Sequence, residues 1–315
     1  MDQWVFLFPG QGSQRVGMVQ DFLDHYPQQT RDFFGIAQKK TGVDLLKLSL
    51  KGPEEELNMT YNTQPALLTL SVLIYQIISS AISFLPVAVA GHSLGEYSAL
   101  VAAGSIDFSD AVFLVRKRGE IMQNAVPTGN GTMAAVIGLP DHQLKPLLQE
   151  LSLSGKVEVA NYNSSDQVVL SLEKRLIPVL KEKAQSQGAK KIIELRVSAP
   201  FHSSFMREAA QEFQSILSQI SFYRPRFSFV SNVTGDYANE PVEIQELLNQ
   251  QMVSPVQWKK IMDRLYQEGY RKFVEIGPGN VLSKLFKREY DQVETYSVQT
   301  VSVLKEWMKE ASKNG

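Results

Sequence analysis

The chain of 315 residues contains no cysteine. That excludes disulfides, thiol nucleophiles and cysteine-ligated metal, and nothing suggests a secreted scaffold held by cross-links. Histidine is nearly as scarce. The four residues His25, His92, His142 and His202 are the only places where an imidazole could act. Charge of one sign is also lacking: 32 basic residues against 33 acidic ones leave a formal net charge of −1. That balance points to neither a nucleic acid nor an anionic membrane as partner. Long apolar runs are missing too. The stretch 66–85 comes nearest to a membrane span, but Thr69, Ser71, Gln76, Ser79, Ser80 and Ser83 break it, so it reads as a buried helix. Asp2 stands where a signal peptide would carry positive charge, and the apolar run at 4–8 is too short for its core. The expected location is the cytoplasm and the expected state a monomer.

What is present centres on residues 87–103. Apolar Val87-Ala88-Val89-Ala90 runs into Gly91-His92-Ser93-Leu94-Gly95, and a helical pattern follows from Glu96. Strand, sharp turn and helix around GxSxG make a nucleophile elbow. Gly91 and Gly95 let strand and helix approach closely. Ser93 then projects from the bend, and the Leu94 amide opens the helix, aimed at whatever Ser93 attacks. The plainer alternative is an ordinary strand–turn–helix with Ser93 as a cap.

A serine needs a base. His25 and His142 read as solvated. His92 adjoins Ser93 but should point the other way from the strand end, which makes it structural. His202 remains, in a loop after Pro200, and it follows the serine in the chain as in α/β-hydrolase sites. No carboxylate stands out to orient it, so a backbone carbonyl is a candidate. Two amides would hold an oxyanion: Leu94 supplies one, and the Gly10-Gln11-Gly12 loop after the first strand is the best source of the other.

The rest of the chain reads as an α/β protein. Strands are expected at 4–8, 87–90, 227–230, 273–276 and 293–297. Helices are expected at 17–40 (one or two), from Thr63-Gln64-Pro65 to about 80, and at 110–125 behind Asp107 or Ser109. Others follow at about 203–220, 242–251, 256–268, from Asn280, and at 301–309. Pro127-Thr128-Gly129-Asn130-Gly131 marks a boundary. Beyond it, strand 132–138, a helix capped by Asp141, strands 157–161 and 167–172, helix 173–187 and strand 192–197 give the β-α-β-β-α-β order of a ferredoxin-like unit. The expected division is a large body of residues 1–127 and 199–315, with 128–198 inserted.

Arg118 departs from the pattern of its helix. At 100° per residue, Ala111, Leu114, Val115, Ile121, Met122 and Ala125 fall within about 60° of it, while Arg116 and Glu120 lie opposite. A core-facing arginine is costly unless it has an acidic partner or lines a polar cavity.

On these motifs the sequence resembles the malonyl-CoA:acyl-carrier-protein transacylases, of the fatty-acid type or the discrete type beside polyketide synthases. The motifs are FPGQGSQ at 8–14, TQPAL at 63–67, GHSLGEYSAL at 91–100 and RGEIMQ at 118–123. NYNS at 161–164, SAPFHS at 198–203, SPVQW at 254–258 and EIGPG at 275–279 continue the likeness. The resemblance implies an α/β-hydrolase-like large domain with a parallel sheet and a ferredoxin-like insert. It implies Ser93 as acyl-bearing nucleophile, His202 as base, and the Gln11 and Leu94 amides as oxyanion hole. It further implies Arg118 as grip for the malonyl carboxylate, the Gln251 backbone carbonyl as orienter of the histidine, and Phe201 as the bulky wall of malonyl-selective members. Malonyl-CoA and a phosphopantetheinylated acyl carrier protein would be the substrates, with no metal or other cofactor. Lys190, Lys191, Arg196, Lys284, Lys287 and Arg288 are candidates for carrier docking, and of the two pathways the polyketide one is the expectation. The rival functions are an acyl hydrolase that clears carrier proteins, and a docking module without catalysis.

Overall fold

The computed structural model describes residues 3–312 apart from 83, 128, 196 and 198. Arg196, Ser198 and the expected start of the insert at Thr128 therefore lie outside the described residues. Nine strands are found among the described residues: β1 (Trp4–Phe8), β2 (Ala88–Gly91), β3 (Gly131–Ile137), β4 (Val157–Ser164), β5 (Gln167–Glu173), β6 (Lys191–Glu194), β7 (Ser228–Val230), β8 (Lys272–Ile276) and β9 (Glu294–Val298). They form two sheets, ordered β7-β2-β1-β8-β9 and β4-β5-β3-β6.

Every pairing in the five-stranded sheet is parallel. All five residues of β1 are buried, because both faces of the sheet are covered. Trp4, Phe6 and Phe8 pack into the core around the helix Thr60–Ala81, while Val5 and Leu7 pack on the other side with Trp258, Ile261 and Phe286. Phe8 pairs with Gly91. The Gly10-Gln11-Gly12 loop therefore leaves the sheet beside the elbow, at the end where strands of such sheets present their ligands.

The four-stranded sheet is antiparallel throughout, with the first and third of its strands side by side. This is the arrangement expected of a β-α-β-β-α-β unit. Ala134, Val136 and Leu170 face the helices Asp141–Ser152 and Ile177–Ser186. Met133, Ala135 and Val169, which alternate with them, join the core of the large body instead. The small sheet thus roofs the ends of β1 and β2.

Several boundaries differ from expectation. The helix Thr60–Ala81 starts three residues before Thr63, with Pro65 inside it. Its first turn is held by a distant group, Gln123 Oε1, which accepts from the Thr60 amide at 2.8 Å. Proline has no N–H to give the carbonyl four residues back, and Arg116 Nη1 donates to that Tyr61 carbonyl at 3.1 Å instead. Asp107 occupies the cap position of the helix Phe108–Asn124, yet its side chain makes no capping bond. Pro140, not Asp141, takes the cap position of the helix Asp141–Ser152. The expected helix 203–220 opens as a 3₁₀ turn at Ser204–Met206 and continues as Arg207–Leu217. The closing helix extends to Ser312.

Candidate active site

Ser93 sits at the bend with φ 51°, a left-handed conformation that costs energy in a non-glycine residue and is found at elbows of this kind. The bend needs both flanking glycines. A Cβ on Gly91 would fall 1.9 Å from the Gly95 carbonyl oxygen, and one on Gly95 would fall 2.0 Å from that of Phe8.

Ser93 Oγ lies 2.7 Å from His202 Nε2. On the other side of the ring, His202 Nδ1 donates to the Gln251 carbonyl oxygen at 2.7 Å. That bond fixes the tautomer: Nδ1 carries the hydrogen, and Nε2 is left to accept from the serine hydroxyl. Burial, aided by the Arg118 charge, lowers the His202 pKa from 6.5 to about 3, so the ring is neutral and able to take a proton.

Arg118 is 1% exposed and, among the described residues, has no ion pair. Nη1 donates to Gln64 Oε1 at 2.8 Å and Nη2 to Gln251 Oε1 at 2.7 Å. Nη2 also reaches Ser93 Oγ at 3.3 Å. The face of Tyr97 lies 5.4 Å from the guanidinium carbon, and Nε is buried with no hydrogen-bond partner among the described residues. Burial depresses the arginine's pKa, yet a guanidinium stays charged in protein. The result is a cation beside the serine that has only neutral groups as direct partners.

Gln11, Ser93, Leu94, Arg118, Phe201 and His202 line one cavity of about 90 Å³, closed by Met133, Val169 and Leu195 of the small body. The Gly95 and Glu96 amides turn back to the His92 and Ser93 carbonyls, whereas the Leu94 amide heads the helix. A second hollow of about 240 Å³ shares Gln11, His92, Asn161, Val169 and Leu195 with the first and leads out past Gly12, Gln167 and Val281.

The structure brings Ser93, His202, Gln11, Leu94, Arg118, Gln251 and Phe201 together around this cavity or directly behind it. His25 and His142 are exposed, as expected. The His92 ring turns toward Trp258, 5.5 Å away on the face of the sheet where Val5 and Leu7 pack, with Nε2 2.9 Å from Asn163 Oδ1 of β4, and the residue also borders the cavity. Arg288 is not a free cation, since it pairs with Asp166 at 3.2 Å and donates to Ser164 Oγ at 2.6 Å. Lys190, Lys191, Lys284 and Lys287 are exposed.

Sequence reasoning passed over Gln64, Glu96 and Asn232. Asn232 Oδ1 accepts from the Ser93 amide at 2.7 Å, and its own amide donates to Glu96 Oε1 at 2.7 Å. The available signal was Glu96 itself, a lone carboxylate in the buried, apolar helix Leu94–Ala102. Burial pushes it up to about 7, against its hydrogen bonds and the Arg118 charge.

Residues 5–314 match the acyl transferase domain family. The chain is 40% identical over 318 residues to the malonyl CoA-acyl carrier protein transacylase of Bacillus subtilis strain 168, covering 100% of both chains. It is 41% identical over 304 residues to the protein of the same name from Escherichia coli K12, covering 96% of this chain and 98% of the other. A solved complex of a type II polyketide synthase acyl-carrier protein with its malonyl-transacylase superposes with TM-score 0.95 at 38% identity, covering 98% of this chain and 100% of that one.

Proposed function

The chain belongs to the acyl transferase family, and from that premise we propose how its residues divide the work of malonyl transfer from malonyl-CoA to an acyl carrier protein. The substrate thioester enters through the outer hollow. Ser93 Oγ attacks the thioester carbon while His202 Nε2 takes the hydroxyl proton. The Gln11 and Leu94 amides receive the oxyanion. The carbon–sulfur bond breaks, the coenzyme A sulfur takes the proton from His202, and malonyl remains as an ester on Ser93. The phosphopantetheine thiol of the carrier then gives its proton to His202 and attacks that ester, the ester carbon–oxygen bond breaks, and Ser93 Oγ takes the proton back from His202. Thioester becomes ester and then thioester again, so electrons balance and the chemistry calls for no metal or other cofactor.

The observation that carries this reading is Arg118. A buried guanidinium 3.3 Å from the Ser93 hydroxyl and without an ion pair among the described residues suits an acyl group that brings its own carboxylate. An acyl hydrolase acting on plain acyl chains would gain nothing from such a charge. The bodies 1–127 with 199–315 and 128–198 are read as catalytic domain and inserted roof, and Phe201 as the wall that limits substituents on the malonyl carbon. The carrier is read as one of fatty-acid or polyketide synthesis, and the solved complex with a type II polyketide synthase carrier supports the second setting. The enzyme is read as a soluble cytoplasmic monomer that binds neither membrane nor nucleic acid. Its long apolar helix Thr60–Ala81 has 78% of its most apolar window buried in the fold. Incubation with malonyl-CoA should add one malonyl group, on Ser93, visible by intact mass and peptide mapping. Steady release of free acid from acetyl-CoA, with no malonyl adduct, would overturn the reading in favour of a hydrolase.

A further inference from the structure

Glu96 takes no part in that reaction, yet its buried carboxylate is tied through Asn232 and Gln251 to Ser93 and Arg118. One oxygen accepts from the Asn232 amide at 2.7 Å, and Asn232 in turn holds the Ser93 amide and the Gly91 carbonyl, each at 2.7 Å. The other oxygen accepts from Gln251 Nε2. Gln251 Nε2 also donates to the Ser93 carbonyl at 3.1 Å, and Gln251 Oε1 accepts from Arg118 Nη2 at 2.7 Å.

A glutamine amide can sit in two orientations that exchange its oxygen and nitrogen, and its surroundings must choose. Above the pKa of about 7 to which burial raises it, the Glu96 carboxylate only accepts, so it admits just the orientation with Nε2 turned toward it. The same orientation puts Oε1 on the guanidinium. The reverse would set an NH₂ against Arg118, donor to donor, and leave a buried cation with one acceptor fewer. We propose that Glu96 is a positioning residue that locks the Gln251 side chain with its oxygen on Arg118, and so aims the guanidinium at the carboxylate of the acyl group. This rests on the malonyl reading above and deepens it. The influence on Arg118 runs through the Gln251 side chain, whereas His202 is held by the Gln251 main chain. Glu96 therefore governs which acyl group is preferred more than whether Ser93 can be acylated at all.

The test compares kcat/KM for malonyl-CoA and acetyl-CoA in wild type, Glu96→Gln, Gln251→Ala and the double variant. Glutamine at 96 keeps an oxygen for the Asn232 amide but can face Gln251 with either end. It should lower the malonyl-to-acetyl ratio about tenfold, mainly through KM for malonyl-CoA, with acetyl loading little changed. Gln251→Ala should lower the ratio by a similar factor, and the double variant no further, since residues acting as one unit are not additive. An unchanged ratio in Glu96→Gln, or fully additive losses, would overturn the proposal. If Glu96→Gln does not fold, Gln251→Ala decides alone, and an unchanged ratio there overturns it. A wild type that loads no malonyl onto Ser93 overturns the malonyl reading together with this inference. A wild type that loads malonyl while both variants keep its preference overturns the inference alone.

Discussion

His92 Nε2 lies 2.9 Å from Asn163 Oδ1, which ties the residue beside the nucleophile to β4 of the small sheet. The ring also packs 5.5 Å from Trp258, and burial lowers its pKa, so it is a neutral strut. His92→Ala should lower stability by about 1–3 kcal/mol, the cost of leaving a buried partner unsatisfied. Chemical denaturation would read this as a lower midpoint. Malonyl loading of Ser93 should persist. A variant of normal stability that no longer loads would give His92 a chemical role.

Ser93 and His202 should fail differently. Ser93→Ala removes the attachment point, and no covalent acyl-enzyme should form. His202→Ala keeps the hydroxyl without its base, and should slow both acylation and transfer by roughly 10²–10⁴-fold. Because the buried imidazole titrates near 3, kcat/KM for malonyl-CoA should show no acid limb near 6.5. A limb there that disappears in His202→Ala would show an ordinary, solvated histidine.

Arg118→Ala should cut malonyl loading sharply and spare acetyl loading, or even raise it, because the guanidinium fork is matched only by a carboxylate. Arg118→Lys should recover a part, since it keeps charge and loses the fork. The measurement is kcat/KM for both thioesters, and an equal drop for both would make Arg118 a packing element.

Phe201 is 5% exposed and forms one wall of the small cavity. Methylmalonyl-CoA should be disfavoured against malonyl-CoA by roughly 1–3 kcal/mol in kcat/KM, the usual penalty of one misplaced methyl group. Phe201→Ala should narrow that gap. If it narrows nothing, another wall sets the limit.

Stability should carry two opposed pH terms. His202 has its folded pKa lowered from 6.5 to about 3, so the native state binds fewer protons between those values and stability rises with pH across that window. Glu96 has its folded pKa raised from 4.5 to about 7, so the native state keeps its proton longer and stability falls with rising pH between those values. From pH 4.5 to 6.5 the two oppose each other. Denaturation of His202→Ala should then show stability falling with pH, that of Glu96→Gln should show it rising, and wild type should be flatter than either. Parallel slopes in all three proteins would dismiss both shifts.

The elbow was legible because every part of it is local: an apolar strand, two glycines at fixed spacing and a helix start. Arg118 was legible for a similar reason, as one charge on an apolar arc. The buried links behind them were not. Glu96 and Gln251 are separated by 155 positions, and no periodicity joins them. Arg116 lies on the face of its helix opposite Arg118, yet it serves the carbonyl that Pro65 leaves bare. Docking residues were the least legible, since exposed charge looks alike until a partner such as Asp166 is seen beside it.

The order of the strands has a consequence for how the protein is made. β1 precedes the other described strands in the chain, but it lies at the centre of its sheet, and one neighbour, β8, begins only at Lys272. Trp307, near the end, packs edge-on against Trp4 with centroids 5.5 Å apart. The small sheet, by contrast, is built from one unbroken stretch and can form while synthesis continues. The roof is thus completed before the floor. β1 waits, half paired, for β8, and a translation arrest before Lys272 would release a polypeptide with a finished insert and an open, aggregation-prone sheet edge.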